Sequence, residues 1–144
     1  TDAEMNFEEH YRERLQKIID KDPRYPAVAY DFVRAGVSFT GERLRGEGET
    51  SERFHISGQQ LLDGLRDLAL NEFGPLAYDV LAEWNVTETA DFGNLVFNLV
   101  SSSLLGASDE DSPEDFAEGY TFADAFLKPF VEAGEMPDNL SRIA

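Results

Sequence analysis

Apolar side chains recur three and four residues apart along most of this chain, and each such run ends at Pro, Gly or Asn. That period is the signature of amphipathic helices. Phe7, Tyr11, Leu15, Ile18 and Ile19 share one stripe, which predicts a first helix from about Glu4 to Asp20. Lys21-Asp22-Pro23 stops it, because Pro disfavours the helical region for the residue before it. A second helix should start near Pro26 and bury Val28, Ala29, Phe32, Val33, Gly36, Val37, Thr40 and Leu44. It ends in Arg45-Gly46, a basic last turn followed by a stop, and 46–52 reads as a mobile polar loop.

Ser57 with Gln60 three residues on predicts a capped third helix that runs to Phe73 and stops at Gly74-Pro75. Its apolar face is Leu61, Leu62, Leu65, Leu68 and Ala69. A fourth helix from Pro75 to Trp84 closes on Asn85, a residue that tolerates left-handed backbone. A fifth, from about Thr89 to Ser102, carries Phe92, Leu95, Val96, Leu99 and Val100 on one side. Glu88, Asp91, Asn94, Asn98 and Ser101 lie on the other. Thr121 and Asp124 cap a last helix with Phe122, Phe126 and Phe130 at spacing four.

Two segments read as extended. Arg53-Phe54-His55-Ile56 alternates polar and apolar, as a short strand would. Glu118 to Phe122 is expected to pair back on Leu104-Leu105 as a hairpin, the alternative being a short helix begun by Ser112-Pro113. The fold expected is mainly α. A helical hairpin (1–46) packs on a winged-helix-like three-helix unit with a small β-hairpin (53–130). Together they form one domain over 1–132, followed by a flexible tail at 133–144. A length of 144 residues suits one domain.

Charge limits what such a fold can bind. The formal net charge is −17, and residues 57–130 hold fourteen acids against only Arg66 and Lys128. From Asp67 to Leu127 there is no Lys, Arg or His. A surface so negative repels nucleic acid and anionic lipid and favours cationic partners. Three Lys against nine Arg and 29 acids also fits adaptation to high salt. There is no Cys, which excludes disulfides and thiol chemistry and suits a reducing cytoplasm. The longest uncharged run, Phe92 to Ser108, is too short and too polar to span a membrane, and no secretory leader pattern is visible. A cytoplasmic location is therefore expected. The sequons at Asn85 and Asn139 read as chance.

No motif specifies a reaction. The acidic run Asp109 to Asp115 lacks the Gly and Glu that a calcium loop needs at its sixth and twelfth positions, where Glu114 and Tyr120 stand. Ser57 near His55 and Asp63 reads as a helix cap rather than a nucleophile. Gly36 to Gly41 misses the spacing of a nucleophile elbow and lies inside a helical pattern. There is no phosphate-binding loop and no dinucleotide fingerprint, so neither cofactor nor metal is expected.

In a winged helix the fifth helix would be the recognition helix, with Asn94 and Asn98 able to read adenine edges. Duplex binding needs several Lys or Arg contacts to phosphate, and this half of the chain offers almost none. The reading is therefore a non-enzymatic interaction module for a basic protein partner. Its candidate residues are Asp91, Asn94, Asn98 and Asp111. The alternative is a small-ligand binder or enzyme with a pocket anchored by Arg34, Arg53, His55 and Arg66. A degenerate nucleic-acid binder comes third. Nothing in the chain specifies an oligomeric state.

Several motifs also point to a family. They are Asp22-Pro23-Arg24-Tyr25, Ala29 to Val33, His55 to Gly64, Phe73 to Ala77, Asp91-Phe92-Gly93, Val96 to Val100, Asp115-Phe116, Gly119-Tyr120 and Phe126 to Phe130. Through them the chain resembles the Minf-type family of uncharacterised bacterial proteins over roughly residues 7–130. The resemblance implies a stand-alone bacterial cytoplasmic protein and carries over no catalytic residue. Asn85, Ala107 and Ser108 depart from it, standing where Gly, Lys and Thr are expected.

Overall fold

Two glycines and a threonine let two helices of this protein pack closely. The computed structural model describes residues 2–46, 48, 55–106 and 111–132. Helix α1 (Asp2–Lys21) and helix α2 (Ala27–Gly46) form the N-terminal hairpin. Helix α3 (Gly58–Phe73) lies tightly against α2. A β-carbon added at Gly36 would stand 2.3 Å from Leu65 Cδ2, and one at Gly64 would stand 1.8 Å from Thr40 Oγ1. Thr40 is fully buried and its hydroxyl donates to the Gly36 carbonyl at 2.7 Å. The absence of side chains at 36 and 64 therefore lets the two backbones meet around one satisfied threonine.

The α3 start follows its sequence signature. Gln60 N donates to Ser57 Oγ at 3.1 Å, and Ser57 N donates to Gln60 Oε1 at 2.9 Å. Gly74, at φ 54°, ends the helix. A 3-10 turn (Gly74–Leu76) leads into α4 (Ala77–Glu83). Asn85 takes φ 64°, as its residue type allows, and its side-chain amide donates to the Arg24 carbonyl at 3.1 Å. Helix α5 (Thr89–Ser101) runs from this corner through the middle of the fold. A 3-10 turn (Pro113–Phe116), a π-helical turn (Ala123–Leu127) and α6 (Lys128–Glu132) complete the described chain.

One core unites both halves. Tyr11, Leu15, Tyr30 and Val33 from the hairpin are buried with Leu62, Leu65, Leu81, Leu95 and Leu99. Aromatic rings run through it in sequence. Phe32 meets Phe73, Trp84 and Phe92 with centroids 6.0, 5.6 and 6.4 Å away. Phe92 continues to Phe122 at 5.6 Å, and Phe122 to Phe126 at 5.0 Å. Phe130, expected to extend this stack, is only partly buried, as the π turn shifts the helical register ahead of it.

The chain is mainly helical, as its periodicity predicts, but the expected β-hairpin is not formed. No strand occurs among the described residues. The backbone groups of the expected partners are used elsewhere. Leu104 N donates to the Leu99 carbonyl, closing α5 over Ser103 at φ 61°. Gly119 N donates to Thr89 Oγ1 at 3.1 Å, and the Tyr120 hydroxyl to the Leu62 carbonyl at 2.7 Å. The expected alternative is what occurs: Ser112-Pro113 starts a short helical turn. His55 and Ile56 are not in a strand either, and Arg53-Phe54, the loop at 49–52 and the tail at 133–144 lie outside the described residues.

Candidate functional site

Three residues on the polar face of α5, Asp91, Asn94 and Asn98, are half-buried and hydrogen-bonded within the fold, while Glu88 and Ser101 are exposed. Asp91 Oδ1 accepts the Tyr25 hydroxyl at 2.6 Å. Its Oδ2 accepts Thr87 N at 2.9 Å and Glu88 N at 3.2 Å, tying down the first turn of α5. Asn94 donates to the Tyr25 hydroxyl at 2.9 Å. One turn on, Asn98 donates to the Tyr30 hydroxyl and to Asp22, each at 3.0 Å. Tyr25 and Tyr30 are almost fully buried. Burial pushes the Tyr25 hydroxyl up to about 12, with the Asp91 carboxylate adding to the rise. Asp22 is held below the usual carboxylate range, first by its hydrogen bond from Arg24 and further by Asn98. Three of the four expected interaction residues thus form a seam that docks α5 on the α1–α2 corner. Their amides and carboxylate are engaged by tyrosine hydroxyls, and all three residues are half-buried.

The expected pocket anchors are dispersed. Arg34 stacks over the Tyr11 ring at 3.8 Å, between α1 and α2. Arg66 pairs with Asp67 at 2.9 Å and with Asp63 at 3.5 Å, and lies over the Tyr120 ring. Burial acts to raise Asp67, but the hydrogen bonds from Arg66 and Arg43 outweigh it and hold the carboxyl below its ordinary range. Arg53 lies outside the described residues. Of the anchors among the described residues, His55 lines a cavity, and there it meets the fourth interaction candidate: His55 Nε2 stands 3.0 Å from Asp111 Oδ1.

That cavity is a cleft of about 700 Å³ between α2, the start of α3, α5 and the 111–116 segment. Val37, Leu61, Val96, Phe97, Val100 and Leu105 give it apolar walls. Gly41 of α2 also lines it. Phe116 anchors the outer wall. Its ring packs edge-on against Phe97 at 6.2 Å, and its carbonyl accepts the buried Thr89 hydroxyl at 2.7 Å. Gly93 and Gly58 let this wall approach. Added β-carbons there would stand 2.8 Å from Phe116 Cβ and from Asp115 Cβ respectively.

The mouth is polar. Asp111 and Asp115 line the cleft and also a second recess of about 490 Å³, which Glu114 and Glu118 share. His55 borders both, and Arg45 stands at the α2 side with contacts of its own. Among the described residues no three His, Asp or Glu side chains converge as metal ligands, and no helix is long and apolar enough to cross a membrane. Ser57, the one hydroxyl near His55 that sequence singles out, serves as the α3 cap.

Sequence reasoning missed Val37, Gly41, Phe97, Val100 and Phe116. Phe116 carried a signal, being a lone aromatic after an acidic run. Two tyrosines beside the proline corner, with two asparagines four residues apart on an otherwise apolar helix, also pointed to a buried seam. The chain matches no family model, no curated protein and no solved structure.

Proposed function

We propose that this is a non-enzymatic binding protein whose α2–α5 cleft takes the apolar body of a small amphiphilic molecule. One observation carries the reading: an opening of about 700 Å³ with apolar walls and a polar mouth. Small-molecule sites have this size and this division of labour, with apolar surface supplying affinity and a few polar groups fixing orientation. The α5 face on which a protein-interaction reading rested is engaged internally, so the cleft is the better candidate. The arginines of the hairpin offer little support for nucleic-acid binding. Arg12, Arg24 and Arg43 pair with Asp31, Asp22 and Asp67, and Arg34 stacks on Tyr11. The order of α3, α4, the Asn85 turn and α5 supports a winged-helix-like description of that half, and the absence of Cys suits a cytoplasmic protein.

The test uses 1-aminoanthracene, a small neutral dye that brightens in apolar surroundings. The wild-type protein should bind it saturably at one site. Ser38→Trp and Val100→Trp, each placing an indole in the cleft from a side chain that lines it, should abolish the signal while leaving the melting temperature near wild type. Saturable binding that both variants retain, or no saturable binding at all, refutes the reading.

A further inference from the structure

The mouth of the cleft says what head group the amphiphile carries. We propose, resting on the cleft reading above, that the ligand bears a cation which takes over the Asp111 carboxylate from His55. The molecule is then an amphiphilic amine, apolar body inward and ammonium outward.

Asp111 is where the two recesses meet, since it borders both the apolar cleft and the acidic recess beside it. A head group leaving the cleft therefore reaches Asp111 first, with Asp115, Glu114 and Glu118 beyond it. Among the described residues, His55 and Arg45 bring cationic groups to this region, against the carboxylates of Asp111, Glu114, Asp115 and Glu118. The amide end of α3 would ordinarily attract an anion. Here that end is already faced by Asp115, whose Cβ comes within 2.8 Å of a β-carbon placed on Gly58, and its cap is filled by the Ser57–Gln60 pair. Coulombic balance at the mouth thus favours a cation, and the side chain of Asp111, 18% exposed, is sheltered enough for the contact to count.

His55 is the group the ligand displaces. Its ring nitrogen stands 3.0 Å from Asp111 Oδ1, and its side chain is 47% exposed. Asp111 keeps contacts besides this one. Among the described residues Glu114, Asp115 and Glu118 line the acidic recess with His55, and Arg45 lines the cleft from α2.

Three probes of equal chain length test this by ligand-observed NMR at pH 8: n-octylammonium, 1-octanol and octanoate. Octylammonium should bind about tenfold more tightly than octanol, and octanoate more weakly than either. Asp111→Asn should bring octylammonium to the level of octanol. His55→Ala, which removes the competing ring, should bind octylammonium several-fold more tightly than wild type. Octanol or octanoate matching octylammonium in the wild type overturns the head-group inference and leaves the cleft standing. Octylammonium affinity that His55→Ala leaves unchanged or weakens overturns the exchange at Asp111. Binding of none of the three removes the cleft reading itself. A melting temperature near that of the wild type is the fold control for both variants.

Discussion

Replacing Asp91 by Ala should destabilise this protein, although it removes one negative charge from a chain of net −17. An exposed acid in such a chain is repelled by its neighbours, so its loss should be neutral or slightly stabilising. Asp91 differs because its carboxylate has three structural partners. Through Oδ2 it holds the Thr87 and Glu88 amides at the start of α5, a capping role whose loss costs about 1 kcal/mol. Through Oδ1 it accepts the Tyr25 hydroxyl at 2.6 Å, and charge-assisted bonds of this kind contribute about 1.5–3 kcal/mol. Asn94 donates to the same hydroxyl and would have to turn its amide over to supply an acceptor, so the Tyr25 proton loses its charged partner beside a ring that is 1% exposed. The sum is about 2.5–4 kcal/mol. In a domain of this size that lowers the melting temperature by roughly 5–12 °C. Thermal and urea unfolding followed by circular dichroism would measure it. Asp91→Asn, which keeps an acceptor for Tyr25, should lose less than half as much. Glu72→Ala, an exposed acid in the last turn of α3, should hold or raise stability. An Asp91→Ala protein within about 0.5 kcal/mol of wild type would mean that the α5 seam does not exist.

Gly64→Ala should also destabilise, by about 1–2 kcal/mol, because the clash with Thr40 exceeds the gain of about 1 kcal/mol in helix propensity. Gly46→Ala, with nothing within 4 Å of its added carbon, should be neutral or stabilising, and equal melting of the two variants would refute the close α2–α3 contact. At high pH the tyrosines matter. Burial and then the Asp31 carboxylate push Tyr11 up to about 12, and burial and then Asp91 do the same for Tyr25. Their folded values lie above the unfolded value of about 10, so the stability they contribute is complete below pH 10 and lost as pH climbs towards 12. Absorbance at 295 nm should show Tyr11 and Tyr25 ionising together with unfolding. Ionisation near pH 10 in a protein whose circular dichroism stays native would contradict this.

The helices were legible because their signals are local. Ser57 with Gln60, Gly74-Pro75 and Asn85 each set a boundary through their own backbone chemistry, and the structure places boundaries there. The hairpin was not legible because it depended on partners. Tyr120 could pair in a ladder or point its hydroxyl at Leu62, and only the tertiary fold decides between them. The same holds for α5. Asp91, Asn94 and Asn98 form a polar stripe whether they face water or buried tyrosines, and periodicity is blind to that difference. His55 and Asp111 could each be singled out, yet 56 residues separate them, and no spacing rule brings them within 3.0 Å. The cleft depends on how Phe116 docks against Phe97, which leaves no periodic trace.

The central claim is that the α2–α5 cleft receives an apolar chain with its cationic end at Asp111. Intermolecular nuclear Overhauser effects between n-octylammonium and isotopically labelled protein test it most directly. The terminal methyl should contact the methyls of Val37, Val96 and Val100, with the carbon beside nitrogen nearest Asp111. Contacts confined instead to the exposed apolar side chains Phe7, Leu76 or Val131 would contradict the account.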